Sequence, residues 1–354
     1  MISNSLKTVA VRRCSDGEEI PSVLSKLVEE TGLRVPDGAK IVVKPNLNDL
    51  KGPSSGLTTD VRVVDALVRY LNSRSRPEKI LIVESDAWCR LADEAFDVLG
   101  YRDLESVGGN VELVNLTKSP TVDVRLPFPS YFKTMRLPRL FMETDFFISV
   151  AKLRTHHTII SCILKNQFGC VPRRFKGRYH PYLNEILANL NVLLRPDWCL
   201  VDGLIGADMR PREVGLMLAS SDPVATDSVC ARLMGFSPER IPHIKAAAEK
   251  EIGDTEGFRV LFDGDPDVNI GAVIAPPFIG PNRVTLALSE LVGATARTAD
   301  RLRNFASSLQ ILAALSTGLT ASSKGEVLRR ILLKWRSIPD AYRGLKAGEA
   351  AKIG

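Results

Sequence analysis

Lys40-Ile41-Val42-Val43-Lys44-Pro45-Asn46 is the stretch that decides the fold. Three β-branched residues in a row, set between two lysines, suit a short buried strand and are too few for a helix. Pro45 removes a backbone donor and stops the run. A polar loop rich in Gly, Pro and Ser follows, 46–58. Thr59 or Asp60 then offers a side-chain oxygen to cap a helix whose apolar face is Val63, Val64, Leu67, Val68 and Leu71. Lys79 to Val83 reads as the next strand and ends at Glu84-Ser85-Asp86. On the N-terminal side, Thr8 to Cys14 is a β-type run. Ile20 to Glu30 carries a helical face of Val23, Leu24, Leu27 and Val28, closed by Gly32. Strands and helices alternating at this spacing predict an α/β fold with a mostly parallel mixed sheet covered by helices. Ligands of such sheets sit at the carboxyl ends of strands. Lys44-Pro45-Asn46 and Glu84-Ser85-Asp86 are therefore the first site candidates.

Past Gly109 the pattern breaks into short β pieces, Val111 to Val114, Val122 to Leu126 and Thr134 to Leu137, expected as a small β insertion or edge. Phe146 to Val150 is a strongly apolar strand that delivers Lys152-Leu153-Arg154-Thr155-His156-His157. The spacing predicts a helix over His157 to Phe168, ended by Gly169, and another over Pro181 to Leu194. Cys199 to Val201 is expected as a strand ending in Asp202-Gly203, and Val214 to Leu218 as a further strand. Asp222-Pro223 opens a helix that Met234-Gly235 closes, and Pro238 to Lys250 forms one more. After Pro276 come three helical stretches, Arg283 to Leu291, Thr298 to Leu315 and Gly325 to Trp335. The expected organisation is an α/β domain over 1–275 and a C-terminal helical extension over 276–354.

The 354 residues are 45% hydrophobic, enough for a large core. A net charge of +6 suits acidic partners such as phosphates or carboxylates, and also simply aids solubility. Six scattered cysteines with no C-x-x-C pair exclude a zinc ribbon or an iron–sulfur motif in this chain and suit reduced thiols in the cytoplasm. The N-terminus lacks the pattern of a signal peptide, and no run of about 18 apolar residues exists. Basic residues are spread out and aromatics make up 6%, against a nucleic-acid platform. There is no dinucleotide or phosphate-loop fingerprint, no H-E-x-x-H and no G-x-S-x-G. The last helical stretch, with Arg329, Arg330, Lys334 and Arg336, is basic and amphipathic, so peripheral membrane contact is one role for it and docking on its own domain the other.

Chemistry concentrates in one window. Of 4 histidines, His156, His157 and His180 fall between Lys152 and His180, together with Lys165, Asn166 and Cys170. Histidine titrates near neutrality and binds metals, and a partly buried lysine can act as base or nucleophile. The candidate catalytic residues are His156, Lys165, His180 and Asp202. His156 and His180 are also the candidate metal ligands. Lys44, Asn46, Glu84, Lys152, Arg154 and Asn166 are the candidate ligand-binding residues. Arg173-Arg174-Phe175-Lys176-Gly177-Arg178 is a basic cluster able to bind phosphate or to stay solvated.

Several strings come in order: Val43-Lys44-Pro45-Asn46-Leu47, Ala151-Lys152-Leu153-Arg154-Thr155-His156, Lys165-Asn166-Gln167-Phe168-Gly169, Val201-Asp202-Gly203 and Ser221-Asp222-Pro223-Val224-Ala225-Thr226-Asp227. Together they resemble the uncharacterised family called domain of unknown function 362, from about Lys40 to about Gly253, with Lys-Asn-x-Phe-Gly the most specific element. The resemblance implies a single large α/β domain, often found beside an iron–sulfur module. This chain departs from the pattern in three ways. Gly206 to Arg212 replaces the usual Gly-rich turn, no iron–sulfur cysteines are present, and Arg154-Thr155-His156 stands for Lys-Thr-His. Two functions follow. One is an enzyme, an isomerase, lyase or transferase, that binds a small anionic substrate or cofactor and uses Lys/His acid–base or metal chemistry. The other is a non-catalytic redox accessory or binding protein that docks an iron–sulfur partner. The cofactor itself stays unknown.

Overall fold

A computed structural model describes residues 7–15, 17–156, 159–208, 210–274 and 277–279, with the side chain of His156 outside that set. In chain order its elements are β1 (Thr8–Arg13), α1 (Ile20–Thr31), β2 (Lys40–Pro45), α2 (Val61–Arg74), β3 (Lys79–Glu84), α3 (Ala92–Val98), β4 (Val111–Asn115), β5 (Thr121–Arg125), β6 (Thr134–Pro138), β7 (Phe146–His156), β8 (Ile159–Ser161), α4 (Ile163–Asn166), α5 (Leu183–Leu193), β9 (Trp198–Ala207), β10 (Pro211–Ser220), α6 (Pro223–Leu233), α7 (Pro242–Glu249) and β11 (Arg259–Phe262). The main sheet runs β11-β1-β10-β9-β7-β2-β3-β4, with β8 folded back on β7. β7, β2, β3 and β4 pair in parallel, as do β7 with β9 and β1 with β11. The β1–β10 and β10–β9 pairs are antiparallel. This is the mostly parallel mixed α/β sheet that the alternating pattern predicts.

Period-2 alternation sorts each strand between two layers of helix. Ile41 and Val43 of β2, Ile148 and Val150 of β7 and Leu200 of β9 pack with Leu24, Leu27, Leu67 and Leu71 of α1 and α2. The intervening Val42 and Phe147 pack with Leu183, Ile186 and Leu190 of α5. Ala151, Leu153, Cys199 and Val201 pack against α6 and α7. Each fully buried aliphatic side chain contributes roughly 1.5–3 kcal/mol. The helix ends follow local rules. Gly32 closes α1 at φ 66, a conformation open to glycine. Of the two expected caps of α2, Asp60 is the one used, accepting from Arg62 N. Asp222 caps α6 through Val224 N and Ala225 N.

Several boundaries differ from expectation. β7 does not stop at Val150 but runs to His156, because β9 accompanies it past a bulge and β8 returns along its end. Lys152 and Arg154 therefore lie inside a strand. Asp202 lies inside one too, since β9 continues to Ala207 as one arm of the β9–β10 hairpin. The helix expected over 157–168 is reduced to β8, the four-residue α4 and a 3₁₀ turn over Gln167–Cys170. The helix expected from Pro181 starts at Leu183, after a 3₁₀ turn over Gly177–Tyr182. Pro238 to Lys250 divides into a 3₁₀ turn and α7. The β pieces after Gly109 divide as well, β4 joining the main sheet while β5 and β6 form a separate hairpin. α3 and β11 were not foreseen. The three expected C-terminal helices lie outside the described residues.

The polar loop after β2 is fastened to the β9–β10 arm. Gly56 has φ 69, and a Cβ there would stand 2.2 Å from the carbonyl oxygen of Gly206. Only glycine permits this approach of backbone to backbone.

Candidate functional site

The expected site residues gather at the carboxyl ends of β2, β3 and β7 but fall on two faces of the sheet. On the α1–α2 face, Lys152 Nζ donates to Asp202 Oδ2 at 2.8 Å, and both side chains are fully buried. Asp202 also accepts from Asp60 N at 2.8 Å and from Leu204 N at 3.1 Å. This closed pair ties the start of α2 to the sheet. Neither group is turned toward an opening where it could meet a ligand.

On the opposite face Lys44 follows the parity of Val42. Its Nζ donates to Glu84 Oε2 at 2.8 Å, to Pro45 O at 2.6 Å and to Asn166 Oδ1 at 3.3 Å. Asn166 Nδ2 donates to Lys44 O and to Ser149 Oγ. Burial would raise the Glu84 carboxyl, but Lys44 and Arg90, with hydrogen bonds from Lys44 and Ser85 N, hold it below the ordinary range. Gly169, which ends the Lys-Asn-x-Phe-Gly element, packs directly on this ion pair. A Cβ there would lie 2.7 Å from Lys44 Nζ, so the glycine lets the turn close over the ion pair. Asn46 is committed as well, donating through Nδ2 to Leu57 O at 3.2 Å. Six expected residues, Lys44, Asn46, Glu84, Lys152, Asn166 and Asp202, thus spend their polar atoms on the protein itself.

A different set lies beside them. Lys165, on α4, is partly buried and makes no ion pair among the described residues; its Nζ lies over the Phe168 ring at 5.3 Å. Loss of solvent, then the charges of Arg154 and Lys176, lowers its pKa to about 8. Lys176 comes from the basic 173–178 cluster and donates only to Ser85 Oγ and Asp86 O, at 2.8 and 2.7 Å. Its pKa is also brought down to about 8, chiefly by burial. His180 is exposed, with its ring 5.5 Å from Phe168; partial loss of solvent and the two lysine charges lower its pKa. Arg154 donates to Leu57 O at 3.2 Å, and its buried Nε has no acceptor. Gln167, fully buried, has an unpaired Nε2. Unmet donors of this kind cost about 1–3 kcal/mol each.

His243 on α7 went unnoticed in the sequence. It is 1% exposed, both ring nitrogens lack partners, and burial with the Lys165 charge drives its pKa to about 3. A single histidine on an amphipathic helix carries no sequence signal of its neighbours. Asp227 enters the sequence reading only as the last residue of the Ser221–Asp227 string. Its fully buried carboxylate accepts from Ile163 N at 2.7 Å and Leu164 N at 3.1 Å, which fixes the turn that presents Lys165. Burial raises its pKa to about 7. Just before that turn Ile159 adopts φ 73, a strained conformation for a β-branched residue that costs on the order of 1–3 kcal/mol.

No group of three His, Cys, Asp or Glu side chains at metal-binding spacing occurs among the described residues. His180 has lysines beside it, and the imidazole of His156 lies outside the described set. Five of the six cysteines are buried, and Cys89 is exposed.

The family model described as "Domain of unknown function (DUF362)" matches residues 41–232, more than half of the chain. The chain belongs to this family. The matched span holds the Lys44–Glu84 and Lys152–Asp202 pairs, the lysine cluster and Asp227, while His243 lies beyond it. A thylakoid-associated protein of Synechocystis sp. is 27% identical over 272 residues, covering 70% of this chain and 80% of that protein. Among solved structures, the lactate racemase apoprotein from Thermoanaerobacterium thermosaccharolyticum matches with a TM-score of 0.40 and 13% identity, over 65% of this chain and 57% of that one. The chain therefore spans little more than half of that apoprotein's length.

Proposed function

We propose that this DUF362 protein binds a small anionic substrate or cofactor at the cluster formed by Lys165, Lys176, His180 and Arg154, and uses Lys165 as the acid–base or nucleophilic group. One observation carries the reading: the Lys176 charge bears on the partly buried Lys165, and neither lysine has a carboxylate at ion-pair distance among the described residues. Like charges brought together out of water are costly unless an anion joins them. Phosphate or carboxylate oxygens would meet the lysine ammonium groups and the spare Arg154 Nε. At neutral pH a lysine of pKa about 8 is about one-tenth free amine, enough to take a proton or attack a carbonyl. His180, with its lowered pKa, is mostly neutral there and suited to a second proton transfer. Isomerase, lyase and transferase chemistry all use such a pair. A metal held by His156 and His180 remains part of the proposal without a third donor among the described residues. No helix among the described residues is long and apolar enough to cross a membrane, and a cytoplasmic site of action belongs to the proposal too.

The test is isothermal titration with inorganic phosphate, pyrophosphate and succinate. At least one should bind, and Lys165→Ala or Lys176→Ala should weaken it by about tenfold to a hundredfold, the worth of a charge-assisted hydrogen bond. Only the protonated lysines attract the anion, so affinity should fall as pH rises through about 8. Equal affinity in both variants, or no binding of any of the three anions, rejects the site.

A further inference from the structure

Two loops at the rim of this site carry aromatic side chains into solvent. Ala87 and Arg90 form a tight turn, with Ala87 N donating to Arg90 O at 2.9 Å and Arg90 N to Ala87 O at 3.3 Å. Trp88 and Cys89 occupy its tip, and Trp88 is 76% exposed. The turn is braced from beneath. Arg90 is itself 3% exposed, donates to Ser85 O at 2.5 Å and stands 3.5 Å from Glu84. The second loop follows Val171 and carries Phe175, 68% exposed. Lys176 joins the two loops through its bonds to Ser85 Oγ and Asp86 O, and Ser85 Oγ donates to Gly169 O. The two loops are therefore tied together at their bases. Leu91, 40% exposed, adds to the apolar rim.

Isolated exposed apolar residues are common and mean little. Here the exposed rings are held on a braced support and are flanked by cations. Arg173, Arg174 and Arg178 are exposed, and none has an ion pair among the described residues. Arg174 lies over the Phe175 ring at 5.7 Å, and Arg178 over Phe132 at 5.0 Å. Aromatic tips with arginines behind them match the layering of an anionic bilayer surface, where rings settle among headgroups and arginines meet lipid phosphates. We infer that this rim, Trp88, Leu91 and Phe175 with Arg173 and Arg174, docks the protein peripherally on an anionic lipid surface. The contact uses Trp88, Leu91, Phe175, Arg173 and Arg174, none of which belongs to the proposed anion site.

Cys89 gives a direct probe, since the other five cysteines are buried. An environment-sensitive dye on Cys89 of the full-length protein is mixed with vesicles of phosphatidylcholine alone, or of phosphatidylcholine and phosphatidylglycerol in equal parts. Emission should shift to the blue with the mixed vesicles only, and flotation should show the same preference. Arg173→Gln with Arg174→Gln should lower partitioning about thirtyfold, and Trp88→Ser with Phe175→Ser about tenfold or more. Thermal melting of each double variant checks that the fold is kept. Absence of partitioning by the unaltered chain, or partitioning that both variants retain with no dye shift, overturns the inference. An acidic protein partner would give the first of these results.

Discussion

Two kinds of lysine site share one end of the sheet, paired and unpaired with a carboxylate. On one face Lys152 and Asp202 are sealed together, and across the sheet Lys44 and Glu84 are sealed likewise. Beside the second pair, Lys165 feels the charge of Lys176, and neither has a carboxylate at ion-pair distance among the described residues. The most deeply buried lysines are thus the ones paired with a carboxylate. What distinguishes the candidate site is charge left without an internal partner.

The widest separation should appear in stability. Lys152→Met leaves a buried carboxylate with only backbone donors, so about 3–5 kcal/mol should be lost in chemical denaturation. Lys44→Met should cost less, because Arg90 still stands 3.5 Å from Glu84. A reversed order would mean that the Lys152 pair is better solvated than its burial implies.

Asp227 sharpens the contrast through pH. The folded protein keeps a proton on this carboxyl up to about 7, against an ordinary value of 3.8. Its contribution to stability is therefore fullest below 3.8 and is lost as pH rises through 7. Asp227→Asn should remove that decline from urea-denaturation profiles and should also weaken anion binding, since the Lys165 turn loses its anchor. An unaltered pH profile would show that this carboxyl titrates normally.

The smallest effect belongs to Lys165. Its folded pKa of about 8 lies below the usual 10.5, so the unfolded chain holds the extra proton between these values and stability rises with pH across that window. Lys165→Met should therefore leave stability at neutral pH within about 0.5 kcal/mol or raise it slightly, as trading stability for activity implies. A loss as large as that of Lys44→Met would reclassify Lys165 as part of the scaffold.

Much of the fold was legible. Lys-Ile-Val-Val-Lys followed by proline, and the helical face from Val63 to Leu71, have one reasonable structural outcome each. The strand that carries Lys152 was cut short because Lys152, Arg154 and Thr155 look like loop residues until the partner that neutralises Lys152 is known, and that partner lies 50 residues away. The helix placed over 157–168 followed an apolar spacing that a hairpin and two short turns satisfy equally well. At the candidate site, scarce histidines and the Lys-Asn-x-Phe-Gly string pointed to the neighbourhood where Lys165 and His180 lie together. The string could not tell Asn166, which serves the Lys44 pair, from Lys165, which does not. Lys176 was visible only as one charge in a basic run. His243 and Asp227 reach Lys165 and its turn through helix packing that leaves no mark in local sequence.

The glycine pair at residues 56 and 206 has a bearing on access. A loop clasped main chain to main chain at its crown has little slack there to swing as a flap. If the proposed site captures an anion, any loop motion that goes with capture is expected from other segments, the Ala87–Arg90 turn among them.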